Sequence, residues 1–312
     1  PQHRRQVREI AEFTARQFDE IILDDFFFTN CKCPLCIQAK AGRTWTQFRL
    51  DLLNEAGREL IIDPAKAVNP DAKIVIKYPN WYEHFQGLGF DLENGPRLFD
   101  GIYTGTETRD SVRSLQHLQP YQGYLIFRYF ENIKPGGNGG GWVDTGGLTY
   151  MDRYAEQLWL TLFAKAPEIT LFDIRQILRP IRDQHRADWQ QNYQTSFDFD
   201  QMTSPIRLPD GTAYTPGMIA RAAGCTFETI DRFLDKLGSP VGVKSYKPFH
   251  STGEDFLHNY LGMIGIPMDL VPEFPADAKT IFLAESAKFD ESLVDKIKQQ
   301  LMDGKTVVIT SG

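Results

Sequence analysis

Acidic side chains recur just beyond the apolar segments of this chain. Asp24 and Asp25 interrupt the run 18–28, Glu107 follows 99–105, Glu131 follows 123–130, and Asp144 lies a little further on. Carboxyls gathered at one end of a set of strands can divide acid–base work, one kept protonated and another ionised. Asp25 is the leading candidate, Glu131 and Glu107 come next, and Asp24 and Asp144 follow. Adjacent strand residues point to opposite faces, so only one of Asp24 and Asp25 enters a shared site unless the strand ends between them. Arg109, Arg128 and Arg175 stand beside these acids as candidate partners that hold a carboxyl ionised. Lys77, Trp81, Tyr82 and Trp142 complete the set, the aromatics as flat faces on which a sugar ring can stack. For each acid the alternative is a solvated or salt-bridged surface group, and for each aromatic it is packing under a loop.

Three of the four cysteines form Cys31-Lys-Cys33-Pro-Leu-Cys36, directly after the two aspartates; Cys225 is remote. Thiolates this close can share one tetrahedral zinc ion if a fourth ligand is supplied. Its role would be structural, pinning the loop that leaves the strand, and no cofactor is implied for catalysis. The alternative is a set of small thiols without metal. The six histidines show no metal spacing, and neither a metalloprotease HExxH nor a GxSxG elbow occurs. The glycine-rich stretch 136–141 lacks the Lys-Ser/Thr ending of a phosphate loop and the context of a dinucleotide fingerprint. It is expected to be a flexible lip that carries Trp142 and Asp144 to a site.

The elements that must position these residues alternate. An amphipathic helix covers 1–18, with Val7, Ile10, Ala11, Thr14 and Phe18 at helical spacing. Apolar strands are expected at 18–28, 72–78, 99–105, 123–130 and 168–174, with helices at 44–60, 111–118 and 150–166. Strands alternating with helices predict a parallel sheet covered by helices. Polar and aromatic residues crowd after every strand, as in the loops that build the mouth of a (β/α)8 TIM barrel. The five strands then correspond to strands four to eight, with the first three upstream; a doubly wound sheet is the alternative. A long irregular segment spans 179–216, and a helix at 223–237 closes this catalytic part, residues 1–237. Residues 238–312 open a second α/β unit, with strands at 241–246, 266–270, 279–284 and 306–310 and helices at 255–264 and 290–302.

The chain has 312 residues, and Lys+Arg 34 against Asp+Glu 41 give a net charge of −7. Without a long basic stripe, that balance excludes a mainly electrostatic nucleic-acid binder. No apolar run is long enough to insert through a bilayer as a helix. The start at Pro1 and the end on a strand suggest an excerpt of a longer protein, so the compartment is left open.

A strand ending on acids, then Cys-x-Cys-x-x-Cys, then a helix carrying Trp45 and Phe48, resembles the fourth strand and following loop of family 42 β-galactosidases and related barrel hydrolases. The resemblance implies a glycoside hydrolase acting on an oligo- or polysaccharide, with a structural zinc whose fourth cysteine comes from an earlier loop. It also implies that 238–312 begin a flavodoxin-like, glutamine-amidotransferase-like trimerisation domain, so that a homotrimer is expected. Members of that clan end strand four on Asn-Glu, where this chain has Asp24-Asp25, and carry a nucleophilic glutamate on strand seven, which points to Glu131. Another barrel clan places its acids on strands four and six, which favours Asp25 with Glu107. Two carboxyls about 5–5.5 Å apart give retention and about 6.5–9.5 Å give inversion. The alternative function is a non-catalytic barrel that binds glycans or serves as a scaffold.

Overall fold

A computed structural model describes residues 2–24, 29–80, 85–108, 118–144, 148–188, 198–214, 217–254 and 256–312, with 85 and 86 as backbone only. Five strands form one parallel sheet in sequential order: β1 (Glu20–Leu23), β2 (Lys73–Tyr78), β3 (Gly101–Gly105), β4 (Asn138–Asp144) and β5 (Ile169–Phe172). Parallel neighbours need a crossover, and helices supply it. Before β1 comes α1 (Gln2–Ala15). Between β1 and β2 lie α2 (Pro34–Lys40), α3 (Trp45–Ala56), a π-helical turn (Gly57–Ile62) and α4 (Asp63–Val68). The short α5 (Phe85–Leu88) and α6 (Gly95–Leu98) precede β3, α7 (Gln122–Ile133) precedes β4, and α8 (Met151–Phe163) precedes β5. This curled sheet with helices on its outside is an α/β, TIM-barrel-like layout.

Local chemistry explains the boundaries. Thr44 starts α3 by accepting from the Gln47 N–H, and Pro34 at the first turn of α2 sits where its missing N–H costs nothing. The β-branched run Lys73-Ile-Val-Ile-Lys-Tyr78 makes β2 a strand buried at every residue after its first. Ile74, Ile76, Tyr78 and Ile102 point outward into one core with Leu125, Tyr129 and Phe130 of α7.

The structure corrects two expectations. The run 123–130 is helical, within α7, and the glycine-rich stretch is strand β4. A short apolar run fits a buried strand and a buried helix equally well; here Leu125, Ile126, Tyr129 and Phe130 line one helical face. The glycines of β4 are there because neighbours come close. An ideal Cβ on Gly140 would fall 2.5 Å from the Glu168 carbonyl oxygen and 2.6 Å from the Tyr103 ring, and one on Gly141 2.8 Å from Thr106 Oγ1.

After β5 come α9 (Ile174–Ile177), α10 (Phe199–Thr203), a two-stranded hairpin of β6 (Ile206–Arg207) and β7 (Ala213–Tyr214), and α11 (Ile219–Ile230). The irregular segment thus holds short regular pieces, and its last helix starts and ends earlier than expected. α11 packs on α8 in a second core of Val143, Met151, Tyr154, Leu158, Ile219 and Ala222. Beyond residue 238 a four-stranded parallel sheet has the order β11-β10-β8-β9, from β8 (Val243–Tyr246), β9 (Met268–Val271), β10 (Thr280–Leu283) and β11 (Thr306–Ile309), with α12 (Leu257–Met263) and α13 (Leu293–Met302). Met268 and Leu270 of β9 join the core under α7, and the Asn132 amide donates to Asp269 Oδ1 and to the Leu270 carbonyl, each at 2.7 Å.

Candidate active site

Side chains alternate along a strand, so the residues that do not meet the helices form the inner face of the sheet. Val75, Tyr103 and Trp142 pack together there as a separate small cluster. The Tyr103 hydroxyl meets Thr170 Oγ1 at 2.9 Å. Above this floor the strand ends carry the polar groups. Asp24 follows the registered pair Leu23–Ile76 by one residue and so comes level with Lys77. The two make an ion pair, Lys77 Nζ to Asp24 Oδ1 at 3.5 Å, with the lysine buried and the aspartate side chain 62 % exposed. The same ammonium stands 4.6 Å from the centre of the Trp142 ring, a cation–π geometry.

Glu107 and Asp144 each lie two residues beyond the registered pair Gly105–Trp142, so they top neighbouring strands on the same inner face. Both are 4 % exposed. Gly105 leaves the room for this cluster. A Cβ there would fall 2.7 Å from Trp142 Cζ2 and 3.1 Å from Glu107 Oε2. The structure therefore brings Asp24, Lys77, Trp142, Glu107 and Asp144 to one end and one face of the sheet. The buried Tyr154 phenol of α8 is raised well above its ordinary pKa by burial and then by the Asp144 charge. It stays protonated at neutral pH, and its oxygen has no hydrogen-bond partner among the described residues.

A buried relay holds the floor. The Asn259 amide of α12 donates to Gln122 Oε1 at 2.6 Å, the Gln122 amide donates to the Asn80 carbonyl at 3.3 Å, and the Asn80 amide donates to the Glu107 carbonyl. Thr108 N–H donates to Gln157 Oε1 at 2.7 Å. Sequence reasoning missed Asn80 and Gln122. Asn80 stands just past strand β2, the position that marked out the other candidates.

Other candidates fall elsewhere. Glu131 lies on the last turn of α7, where its Oε1 accepts from the Gly136 N–H at 2.9 Å, because the segment that precedes it is a helix and not a strand. Arg128 sits on the same helix, away from the strand ends, for the same reason. Trp142 is part of β4 and 6 % exposed, a floor residue and not a loop aromatic. Arg175 is on α9 with its side chain 88 % exposed, 3.7 Å from Asp173 Oδ2, while Asp173 caps that helix. Asp25, Trp81, Tyr82, Arg109 and most of the 111–118 helix lie outside the described residues.

Cys31, Cys33 and Cys36 gather at the start of α2, with all three Sγ atoms within 4.8 Å of one another and Cys33 to Cys36 at 3.6 Å. A tetrahedral zinc with bonds of about 2.3 Å spaces its sulfurs about 3.8 Å apart, so the set has the right donors and spacing for three corners. No fourth His, Cys, Asp or Glu joins them among the described residues, and Cys225 is buried on α11. Trp45, which starts α3 after this loop, has Lys40 5.6 Å and Arg49 5.2 Å from its ring.

Residues 1–236 match the family model described as "Probable glycosyl hydrolase, catalytic domain", and residues 238–312 match "Uncharacterized protein SSO3021, second domain". Uncharacterized protein SSO3021 of Saccharolobus solfataricus is 29% identical over 207 residues, which cover 58% of this chain and 34% of that protein. Among solved structures, a cold-adapted β-galactosidase from Rahnella sp. R3 superposes with a TM-score of 0.56 at 13% identity, over 99% of this chain and 54% of that one. The chain thus spans about a third of its curated relative and about half of the β-galactosidase chain. At that identity the likeness speaks for the fold, in agreement with the barrel-like sheet. By the match over residues 1–236, the chain belongs to the family described as a probable glycosyl hydrolase catalytic domain.

Proposed function

We propose that the chain cleaves a glycosidic bond in an oligo- or polysaccharide, using an acid from the end of β1 and Asp144 from the end of β4. The observation that carries this reading is the presence of carboxylates on β1, β3 and β4 at one end of the inner face, around Lys77 and Trp142. If the five strands are strands four to eight of a barrel, β4 is strand seven. Asp144 then replaces Glu131 in the position from which a carboxylate attacks the anomeric carbon or activates water. Tyr154, protonated and within electrostatic range of Asp144, keeps that end of β4 free of a second negative charge. On β1, Asp25, neighbour of the Lys77-paired Asp24, supplies the proton to the leaving oxygen. Glu107 is the third acid and the one the strand-four and strand-six arrangement would use. Trp142 is the buried floor under Lys77, and Lys77 fixes Asp24 above it.

Asp in place of Glu shortens the reach to the sugar by one methylene. That favours a second reading, in which the face binds glycans without cleaving them. Substituting Asp24, Asp25, Glu107 and Asp144 singly, in the intact protein, against a panel of aryl glycosides separates the two. Catalysis requires that Asp144→Asn and one β1 variant lose turnover and keep their fold; binding alone requires that none of the variants changes a background rate.

The same reading includes a structural zinc on Cys31, Cys33 and Cys36 and a second unit from 238 onward that serves trimer formation. Elemental analysis and light scattering on the intact protein test these two parts. A barrel catalytic part up to residue 237 is consistent with where the two family models meet.

A further inference from the structure

On the segments that follow β4 and β5, toward the end of the sheet that carries the acids, is a cavity of about 420 Å3, within the range of small-ligand sites, about 300–1,000 Å3. It lies between the loop that follows β4 and the segment that follows β5. Arg179, Arg182 and His185 line it together with the apolar Leu148, Met151 and Ile219. Met151 and Ile219 are the first residues of α8 and α11, two helices of 13 and 12 residues. Neither helix has a side-chain hydrogen bond capping its start.

The arginines suit a negative group. Neither Arg179 nor Arg182 has a carboxylate partner among the described residues, although the chain as a whole is acidic, with a net charge of −7. The Ile219 N–H donates to the Arg179 carbonyl at 3.0 Å, which ties this segment to the start of α11. His185 Nδ1 accepts from the Arg182 N–H at 3.1 Å. Burial, and then the Arg182 charge, lower its pKa, so the ring is neutral at pH 7 and offers Nε2–H as a donor. An arginine fork matches a planar carboxylate with two parallel hydrogen bonds. The apolar residues have nothing to offer a bare anion, but they suit the carbon face of a sugar ring.

We infer that this cavity is a subsite for a sugar residue bearing a carboxylate, a uronic acid, held by Arg179, Arg182 and the His185 Nε2–H. It rests on the glycosidase reading above, since it names the class of glycan that the mouth would receive. Binding measured without turnover keeps the two claims apart. Calorimetric titration of the intact protein with glucuronate, glucose, a sulfated glucose and inorganic phosphate is the test, repeated on Arg179→Ala and Arg182→Ala, with thermal melting as a check on folding. Glucuronate is expected to bind at least about tenfold more tightly than glucose, as a charge-assisted hydrogen bond implies. That preference should vanish in each arginine variant with an unchanged melting temperature. Equal binding of glucuronate and glucose would overturn the inference. Phosphate or the sulfated sugar binding as well as glucuronate would overturn the carboxylate assignment, and a preference surviving both substitutions would overturn the location. A protein that binds glucuronate as described yet cleaves no glycoside leaves the subsite standing and removes the glycosidase reading.

Discussion

Alanine at Gly140 and alanine at Gly139, one residue apart, should have opposite effects. A Cβ on Gly140 falls 2.5 Å from the Glu168 carbonyl oxygen and 2.6 Å from the Tyr103 ring. Contacts between such atoms settle near 3.5 Å, so about 1 Å must be regained. Part of that has to come from the backbone just before β5, which cannot swing aside as a side chain can. Overpacking of this kind costs about 1–3 kcal/mol, and the backbone partner puts Gly140→Ala at the upper end. A Cβ on Gly139 meets nothing nearer than 3.7 Å, and Gly139 is not among the positive-φ glycines. Gly139→Ala should therefore stabilise by about 0.4–1 kcal/mol through the unfolded chain. The two variants should melt on the order of 10 °C apart in a chain of this size. Scanning calorimetry or the fluorescence of the buried Trp142 would follow it. If both variants melt together, the stretch is not the packed strand β4, and Asp144 loses its position at a strand end.

Asp91 gives a pH-dependent case. Burial alone would raise its pKa, but donors from His250 at 3.2 Å, Asn94 at 2.9 Å and Asn54 at 2.7 Å win and hold it well below the usual carboxylate range. A depressed folded-state pKa contributes stability above the unfolded value, about 3.9, and that contribution fades as pH falls below it. Asp91→Asn should thus cost about 1–3 kcal/mol at pH 7 in denaturant unfolding and less at pH 3; a gap independent of pH would contradict the sign. At the thiol cluster, Cys33→Ser is expected to lower bound zinc and the melting temperature together in the intact protein. Metal content at background in the unsubstituted protein would defeat that expectation.

Much of the frame was legible because β2, β3 and β5 are runs of β-branched and aromatic residues between polar ends. The parallel order followed from helices placed between them. What misled was one exchange. The residues Tyr124-Leu-Ile-Phe-Arg-Tyr-Phe130 are as apolar as a strand, and only the one-sided spacing of Leu125, Ile126, Tyr129 and Phe130 reveals the helix. The true strand, Asn138-Gly-Gly-Gly-Trp-Val-Asp144, looks like a loop by composition, because its glycines answer to Tyr103 and Thr106, which are remote in sequence. Glu131 and Arg128 went with that exchange, and Asp144 gained by it. Lys77 and Trp142 could be named from the sequence as neighbours of strand ends. Their contact across β3 could not, since it depends on register and on the space at Gly105. The relay through Asn80, Gln122 and Asn259 joins residues up to 137 apart and leaves no local signal.

Turnover by Asp144→Asn bears most directly on the proposed chemistry. In the intact protein, on the best substrate of an aryl-glycoside panel, kcat/KM is expected to fall by at least about a thousandfold, in keeping with the loss of an attacking or water-activating group, while the melting temperature stays within a few degrees. Glu131→Gln, on the outer helix, should keep wild-type turnover. Full activity in Asp144→Asn, or loss in Glu131→Gln with Asp144→Asn unaffected, would contradict a mouth built on β4.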